Sequence, residues 1–381
     1  MERRLITSDC HIAPPFSVVD DLPESYRQYL PRLRRSEAGL EVIRPQHPAM
    51  MMKGDGGERV EDNPAALARA AVCNVLPEAE PSFDAAAQLG DLERDGVYGA
   101  VLIGRFEDFD SGTPPEVEVA YCRVINDWLA DTWAPYLDRV APGICLPFRD
   151  VPACVKEIER AAGLGLRPAL LPDGIYGRPY HLPEWEPLWE AANGLKVPIT
   201  MHVGGLRSAP TTDVTPYPGQ EDIGWYNLCC AMGETLGWLV YSGVFERYPD
   251  LHVVMTEGYA GWLGFAMQFF DHHWSDSRLH ALQQTATGMA LDRMGAPKID
   301  APPSVYLKRQ AHATFMWDPL AIQARNYTGT DCLLWGNDYP HFEGSFPFSQ
   351  EWVEKQFAGV PEAEIDAIVR GNAARIFGIN I

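Results

Sequence analysis

Short runs of apolar, mostly β-branched residues alternate along the chain with longer stretches in which apolar residues recur at helical spacing. Eight runs predict strands: 5–12, 96–104, 139–147, 167–174, 197–205, 251–258, 304–315 and 331–338. Helices are predicted between them at 116–137, 150–162, 184–194, 230–248, 259–275 and 318–327. Strands that alternate with helices pair in parallel, because each helix provides the crossover that a parallel neighbour needs.

Eight strand–helix units favour a closed (β/α)8 barrel, a TIM barrel of the α/β class. The alternative is an open doubly wound sheet, but no G-x-G-x-x-G motif follows any predicted strand. We therefore expect one barrel domain over residues 1–381, with the tail 361–379 as an amphipathic helix outside the barrel. The stretches 13–83 and 206–229 carry no clear strand pattern and are expected to be lid-like insertions after strands one and five.

Composition and charge narrow the class of partner. With 46% hydrophobic and 22% charged residues, the chain can bury a sizeable core. The formal net charge of −21 at pH 7 repels nucleic-acid phosphates and anionic lipids, so we expect neither as a partner. No apolar run suits a signal peptide or a membrane span, which makes a cytoplasmic protein the default expectation. The eight cysteines show no C-x-x-C spacing and are expected to be reduced.

Side chains that can bind metal end four of the predicted strands. Asp9 and His11 end strand one, His202 ends strand five, Glu257 ends strand six and Asp338 ends strand eight. The carboxyl ends of barrel strands converge on one face, so these residues can share a site. Asp9 and His11 are separated by one residue, so both point to the same side of their strand. Any one of them alone could simply cap a loop, but together they predict a metal site.

Five segments together resemble the amidohydrolase-2 branch of the amidohydrolase superfamily: SDCHIAPP, PITMHVGG, SGVFERYPDLHVVMTEGYAGW, LLWGNDYPHFEGSFPFS and GNAARIFGI. This branch includes aminocarboxymuconate semialdehyde decarboxylase and the resorcylate decarboxylases. The resemblance covers residues 5 to 379. It implies a metal-dependent (β/α)8 barrel whose ligand positions are Asp9, His11, His202 and Asp338.

Two positions depart from the pattern of the decarboxylases. Those relatives usually carry a histidine in the strand-six segment, where this chain has Glu257, and they usually begin with H-x-H or E-x-H rather than Asp9-x-His11. A site with three carboxylates and two imidazoles suits iron or manganese better than a structural zinc. Two ions would also neutralise three negative charges better than one. We therefore expect a dinuclear site, in which His312 is either a third imidazole ligand or a core histidine.

The pairing of D-x-H at strand one with Glu at strand six is similar to dinuclear non-heme hydroxylases of this fold. They include the diiron monooxygenase of platensimycin and platencin biosynthesis and the α-aminoisobutyrate hydroxylase. The resemblance implies an oxidoreductase with two iron ions, or a mixed manganese–iron pair, that uses O2 to hydroxylate an apolar carboxylate- or thioester-bearing small molecule, as in natural-product biosynthesis.

Two alternatives to a monooxygenase stay open. One is a hydrolase or non-oxidative decarboxylase with a single zinc or manganese ion, in which Glu257 is the general acid or base. The other is a catalytically silent barrel that serves as a partner subunit. In every case, family habit favours a homo-oligomer such as a dimer.

Four further residues are candidates for contact with the substrate or with the metal ligands. His341 follows Asp338 by three positions and is expected to orient it. Arg105 and Arg207, just after strands two and five, either clamp a carboxylate or phosphate or form solvated salt bridges. His181, after strand four, either reaches the substrate or lies in a surface turn.

Overall fold

The structure is a computed structural model that describes residues 3–30, 32–36, 39–44, 47–51, 84–104, 112–203, 220–275 and 299–381. Its strands are β1 Leu5–His11, β2 Arg32–Ser36, β3 Gly39–Arg44, β4 His47–Met51, β5 Val97–Ile103, β6 Val140–Pro142, β7 Ile144–Cys145, β8 Ala169–Pro172, β9 Ile199–His202, β10 Val253–Thr256, β11 Ala311–Phe315 and β12 Leu333–Trp335.

The α-helices of the described ranges are α1 Glu24–Arg27, α2 Ala85–Arg94, α3 Pro115–Trp133, α4 Val151–Gly163, α5 Glu186–Leu195, α6 Gln220–Tyr241, α7 Val244–Arg247, α8 Gly261–Ser275, α9 Pro303–Gln310, α10 Pro319–Thr328, α11 Ser349–Gln356, α12 Glu362–Asp366 and α13 Asn372–Phe377. Short 3-10 turns lie at Phe16–Val19, Ala134–Tyr136, Pro183–Trp185 and Thr330–Cys332, and a π-helical turn lies at Ala367–Gly371. Among these helices, none has the length and apolar character that a membrane crossing requires.

Eight strand positions form a closed ring. Strands β1, β5 and β6 pair in parallel, and so do β7, β8, β9, β10, β11 and β12. Only Gly143 separates β6 from β7, so the two are halves of one strand position. The ring closes where Cys10 of β1 forms a parallel bridge with Tyr339 and the His11 amide donates to the Tyr339 carbonyl at 2.6 Å. The predicted (β/α)8 barrel is confirmed.

Alternation along the strands divides the core into two parts. Outward-facing residues such as Leu102 and Met201 pack beneath the helices in a large cluster. Inward-facing residues such as Val101 and Val254 form a second cluster together with side chains of the carboxyl-terminal tail. Ile379 of this tail lies beside Gly99 and Ile6. The tail therefore packs on the amino-terminal end of the barrel.

One predicted strand is mostly helix. Residues 304–315 were expected to be extended, but helix α9 occupies Pro303–Gln310 and only Ala311–Phe315 form a strand. The helix buries Pro303, Tyr306, Leu307 and Gln310, a spacing of three, four and seven residues that marks one helical face. Its proline at the first turn is also typical of a helix start.

The two predicted insertions are only partly described. The first, 13–83, contains an antiparallel sheet of β2, β3 and β4, where the sequence showed no clear strand pattern. The second, 206–229, ends within helix α6, which begins at Gln220. Residues 52–83 and 204–219 lie outside the described residues, so the single-domain extent of 1–381 and the role of both insertions as lids stay predictions.

Candidate metal centre

Four barrel strands bring the predicted ligands to one face. Asp9 and His11 lie at the end of β1, His202 is the last residue of β9, Glu257 follows β10, and Asp338 follows β12. Asp9, His11, His202 and Asp338 are buried, and the Glu257 side chain is 6% exposed. The structure therefore brings together these five residues, which are widely separated in the sequence.

The two imidazoles meet at the centre of this group. Their Nε2 atoms lie 3.3 Å apart. His202 Nε2 is 2.9 Å from Glu257 Oε2, while His11 Nε2 is 3.0 Å from Asp338 Oδ1 and 3.4 Å from Asp9 Oδ1. Two ligands that are each about 2.1 Å from one ion lie about 3 Å apart. Asp9, His11, His202 and Glu257 thus have the spacing that a bound metal ion requires, and Asp338 adjoins this group through His11.

A backbone carbonyl sets the tautomer of His202. Its Nδ1 lies 2.7 Å from the carbonyl oxygen of Val203, which can only accept a hydrogen bond. Nδ1 must therefore carry a hydrogen, and a neutral ring then has its lone pair on Nε2, the atom that faces the centre. Metal-binding histidines are commonly oriented in this way.

Buried oxygens at the centre lack partners within the described part of the chain. Asp9 Oδ1, Asp338 Oδ2 and Glu343 Oε2 accept no hydrogen bond there. Burial of a carboxylate oxygen without a donor is costly. Among the described residues, the ion pairs of Asp9, Glu257 and Asp338 are all with histidines and none is with lysine or arginine. The donor set therefore fits a divalent cation.

The carboxylates favour positive charge on their neighbours. Burial opposes the charge on His11, but the nearby carboxylates of Asp338 and Asp9 outweigh it and raise the pKa of His11 well above its ordinary value. Burial also opposes the charge on His202, and its contact with Glu257 raises the pKa of that ring. For Asp338, burial acts to raise the pKa, but His11 and His341 lower it to about 2. A metal ion would compete with protons for these imidazoles.

Backbone contacts position the Asp9 carboxylate. The Asp9 carbonyl accepts hydrogen bonds from Thr7 Oγ1 at 2.8 Å and from the Asp338 amide at 3.0 Å, which joins β1 to the segment after β12. A side chain at Gly336 would place its Cβ 2.7 Å from the Asp9 Cβ, so only glycine allows this close approach. Asp9 and Asp338 are therefore held together by their own backbones.

Strained backbone marks two of the ligand positions. Glu257 has φ +63° and Asp338 has φ +53°, and Tyr259 nearby has φ +56°. A non-glycine residue in this left-handed region costs on the order of 1 kcal/mol or more. Hydrogen bonds hold these conformations: the Glu257 amide donates to Thr314 Oγ1 at 2.9 Å, and the Asp338 carbonyl accepts from the His341 amide at 2.9 Å.

The loop after β12 adds two residues to the centre. His341 Nδ1 lies 2.9 Å from Asp338 Oδ1, and its ring centroid is 4.1 Å from that of His11. Glu343 groups with Glu257 and Asp338, with one ligand atom of each within 4.8 Å of the others. Glu343 was missed from the sequence. Its signal was the acidic residue two positions after His341, in the loop that carries Asp338.

His312 is not part of the centre, contrary to its proposed role as a third imidazole ligand. It pairs in register with Val254, two residues before Thr256, which is the partner of His202. Because a strand rises about 3.3 Å per residue, His312 lies about 7 Å deeper in the barrel. There its Nε2 is 3.0 Å from His252 Nδ1. The misassigned strand start explains the error, since His312 is the second residue of β11 and not near its end.

Among the other three candidates, only His181 lies within the described residues, and it does not belong to their metal-binding groups. His181 stacks on Trp238, with ring centroids 4.2 Å apart, and burial lowers its pKa. Trp238 lines a separate cavity of about 620 Å³ between the segment after β8 and helix α6. Arg105 and Arg207 lie outside the described residues.

Comparison with known proteins gives a consistent family and fold. An amidohydrolase family model matches residues 77–379. Gamma-resorcylate decarboxylase of Rhizobium sp. strain MTP-10005 is 27% identical over 285 residues, which cover 69% of this chain and 77% of that protein. An amidohydrolase structure from Mycobacterium avium subsp. paratuberculosis K-10 has a TM-score of 0.70 at 17% identity and covers 100% of this chain and 99% of its own.

A third relative contains a metal. The structure of 5-carboxyvanillate decarboxylase from Novosphingobium aromaticivorans DSM 12444, in complex with manganese, has a TM-score of 0.67 at 16% identity. It covers 99% of this chain and 96% of its own. At this identity the likeness shows the fold alone.

These relatives overturn the expected oxidoreductase. The prediction of a diiron monooxygenase that hydroxylates its substrate with O2 is wrong, because the curated relatives are decarboxylases. The prediction depended on Asp9 and Glu257. These two residues make the site rich in carboxylates, but a carboxylate-rich site is not specific to O2 chemistry. The alternative of a non-oxidative decarboxylase agrees better with these relatives.

Proposed function

The chain belongs to the amidohydrolase family, and we propose that it is a metal-dependent, non-oxidative decarboxylase of a hydroxylated aromatic carboxylate. The supporting observation is the group Asp9, His11, His202 and Glu257, with Asp338 3.0 Å from His11, in a chain whose curated relatives include gamma-resorcylate decarboxylase. In the proposed reaction a proton replaces the carboxylate on a ring carbon, and CO2 leaves. The bonding electrons return to the ring, so the reaction needs a proton donor but no oxidant.

The proposed cofactor is one divalent ion, manganese or zinc, held by Asp9, His11, His202 and Glu257, with Asp338 next to His11. A mixed set of imidazoles and carboxylates suits both metals. Manganese has support from the related 5-carboxyvanillate decarboxylase structure. When bound, the ion would act as a Lewis acid toward an oxygen of the substrate.

We assign the proton transfer to His341. The histidine that the decarboxylases usually carry at strand six is absent, and Glu257 stands there. His341 offers an imidazole from a different loop, with Nδ1 2.9 Å from the Asp338 carboxylate and a side chain that is 14% exposed. The carboxylate orients the ring, as in other histidine–carboxylate pairs. Nε2 is then the nitrogen that holds the proton for the ring carbon.

A small cleft of about 10 Å³ lies beside the ligands, and it must widen before an aromatic ring can enter. Tyr259, Phe315 and Met316 line it together with Asp9 and Glu257. Apolar and aromatic walls with a few polar groups at one end are typical of small-molecule sites. In the proposed complex the carboxylate of the substrate faces the metal ligands.

The test is CO2 release from gamma-resorcylate, 5-carboxyvanillate and related hydroxybenzoates by protein that has been stripped of metal and reloaded with Mn2+ or Zn2+. We expect release only after reloading. Asp9→Asn removes one ligand and is expected to weaken metal binding by at least about tenfold, with loss of CO2 release. Asp20→Asn, at an exposed position, is the matched control and should behave as the unaltered chain.

A different outcome would contradict the proposal. If fully loaded protein released no CO2 from these acids but hydrolysed an amide or ester, the chain would be a hydrolase on the same site.

A further inference from the structure

We propose that the chain binds a small organic ammonium ion in the cavity between the segment after β8 and helix α6. The cavity has a volume of about 620 Å³, which is within the range of small-molecule sites. None of its described lining residues also lines the cleft beside the metal ligands. The cavity is therefore a second place where a ligand can bind, and the inference does not depend on the proposed decarboxylation.

Two elements form facing walls of this cavity. One wall is the segment 174–180, and the other is one face of α6, whose lining residues recur at intervals of three or four positions: Asn227, Ala231, Glu234 and Trp238. Hydrogen bonds join both walls to the end of β8. Thr235 Oγ1 donates to the Asp173 carbonyl at 2.9 Å, and the Tyr180 hydroxyl donates to the Pro172 carbonyl at 2.8 Å. The walls are therefore fixed in place before a ligand binds.

Aromatic side chains provide much of the surface of the cavity. Tyr176, Tyr180 and Trp238 line it. Tyr176 is 63% exposed and Trp238 is 42% exposed, so a ligand would cover apolar ring surface that faces water. His181 stacks on Trp238 with ring centroids 4.2 Å apart and holds the orientation of the indole. The faces of such rings attract cations.

A carboxylate sets the charge of the cavity. Glu234 is the one charged side chain among the described residues that line it, and Trp238 Nε1 donates to Glu234 at 3.2 Å. The carboxylate is therefore held beside the indole. An anion such as an aromatic carboxylate would be repelled by Glu234, whereas a cation is attracted by the carboxylate and by the rings. The net charge of −21 also attracts cations to the molecule as a whole.

These features favour an organic ammonium ion over a metal ion or a neutral aromatic molecule. A metal ion needs several ligand atoms, and Glu234 belongs to no metal-binding group among the described residues. A neutral aromatic molecule would contact the rings but leave the carboxylate without a counterion. A tertiary or quaternary ammonium ion contacts both, because its alkyl groups lie against the rings while its charge faces Glu234.

The experiment is a calorimetric titration of the full, Mn2+-loaded chain with choline and with 3,3-dimethylbutan-1-ol, a neutral molecule of the same shape. Loading with Mn2+ neutralises carboxylates of the metal centre, so that choline is not attracted there. We expect choline to bind at least about tenfold more tightly than the alcohol, because only the cation gains from the rings and from Glu234.

Two replacements at exposed positions locate the ligand. Glu234→Gln should weaken choline binding by about threefold to tenfold and leave binding of the alcohol unchanged, because only the cation loses its counterion. Tyr176→Leu should weaken choline binding by at least about twofold. The matched controls are Glu351→Gln on α11 and Phe265→Leu on α8, which are also at exposed positions and should bind choline as the unaltered chain does.

The inference is overturned if choline does not bind, if the alcohol binds as tightly as choline, or if both folded variants keep the choline affinity of the unaltered chain. Asp9→Asn alters the metal centre and should keep this affinity, whereas a loss would assign choline to that centre and contradict the inference. CO2 release is measured on the same preparations, so either proposal can fail without the other. Glu234→Gln should release CO2 as the unaltered chain does.

Discussion

At the scale of single residues, His341 links the metal ligands to the proposed proton transfer. Its Nδ1 faces Asp338, and its ring lies 4.1 Å from the ring of His11. A residue that only held Asp338 in place would change metal binding when replaced. A proton donor would instead change the rate of the chemical step.

Replacement of His341 separates these two roles. Glutamine can still donate a hydrogen bond to Asp338, but it cannot hold a transferable proton. We expect His341→Gln to lower kcat by about 10²- to 10⁴-fold, with metal content and KM nearly unchanged. Kinetics and metal analysis of His341→Gln are compared with His272→Gln, at an exposed position on α8. A loss of metal that accounts for the whole drop in kcat would assign His341 a positioning role.

The sequence was informative about Asp9, His11, His202, Glu257 and Asp338 because each ends a barrel strand or follows it directly. Strand ends converge in any closed barrel, so neighbours in space could be predicted without a structure. Loop residues have no such rule. Glu343 reaches the centre through the turn after Asp338, whose conformation depends on a left-handed backbone that the sequence does not reveal.

At the scale of elements, Asp318 joins the ends of two helices near the centre. Its Oδ2 accepts hydrogen bonds from the Ala260 and Gly261 amides at 2.8 Å, and its Oδ1 accepts one from the Ala321 amide at 2.9 Å. The carboxylate thus caps α10 and also holds the start of α8, which follows the strained turn at Glu257. Asp318 is 6% exposed, so little water can replace it.

Removal of this carboxylate should destabilise the fold. Asp318→Ala leaves three amides without an acceptor, and we expect the free energy of unfolding to fall by about 2 to 4 kcal/mol. Asp84→Ala provides the comparison, because Asp84 caps only α2 and is exposed, and its loss should cost about 1 kcal/mol. Urea unfolding measures both. Equal losses in the two variants would show that Asp318 acts only as an ordinary helix cap.

Element boundaries show where sequence patterns fail. Residues 304–310 contain β-branched and aromatic residues that suited a strand, yet the burial of Pro303, Tyr306, Leu307 and Gln310 follows a helix. The two patterns overlap in so short a segment. The choice depends on packing against α8 and α6, which the sequence alone does not provide.

At the scale of the whole molecule, His312 makes the stability of the barrel depend on pH. Burial and the neighbouring His252 lower the pKa of His312 to about 3, from an ordinary value of 6.5. The unfolded chain therefore binds a proton at this residue between these two pH values, while the folded chain does not. Stability from this residue is complete above pH 6.5 and is lost as the pH falls toward 3.

The size of this effect can be measured by unfolding at several pH values. Between pH 8 and pH 5, His312 should lower the free energy of unfolding by about 2 kcal/mol. His312→Gln should lack this part of the pH dependence, whereas His272→Gln should keep it. The raised pKa of His11 gives it a contribution to the pH dependence of stability that is opposite in sign to that of His312. The pH dependence of each variant is therefore compared with that of the other variant and not with zero. An unchanged slope in His312→Gln would contradict the assignment.

The barrel could be predicted because eight alternating strand–helix units can form a closed parallel sheet in only a few ways. The structure has all eight strand positions. The reaction could not be predicted in the same way. A cluster of carboxylates and imidazoles fits several metals and several reactions, and the preference for O2 chemistry depended on two positions, Asp9 and Glu257. Assembly as a homo-oligomer and a cytoplasmic location stay predictions.

The most direct test of the central claim is the amount of CO2 formed per substrate consumed, measured in air and under argon with the metal-loaded chain. A non-oxidative decarboxylase should form one CO2 per substrate at the same rate in both gases, and in D2O the product should carry deuterium at the ring carbon that lost the carboxylate. A reaction that stops under argon and gives a hydroxylated product in air would contradict the account.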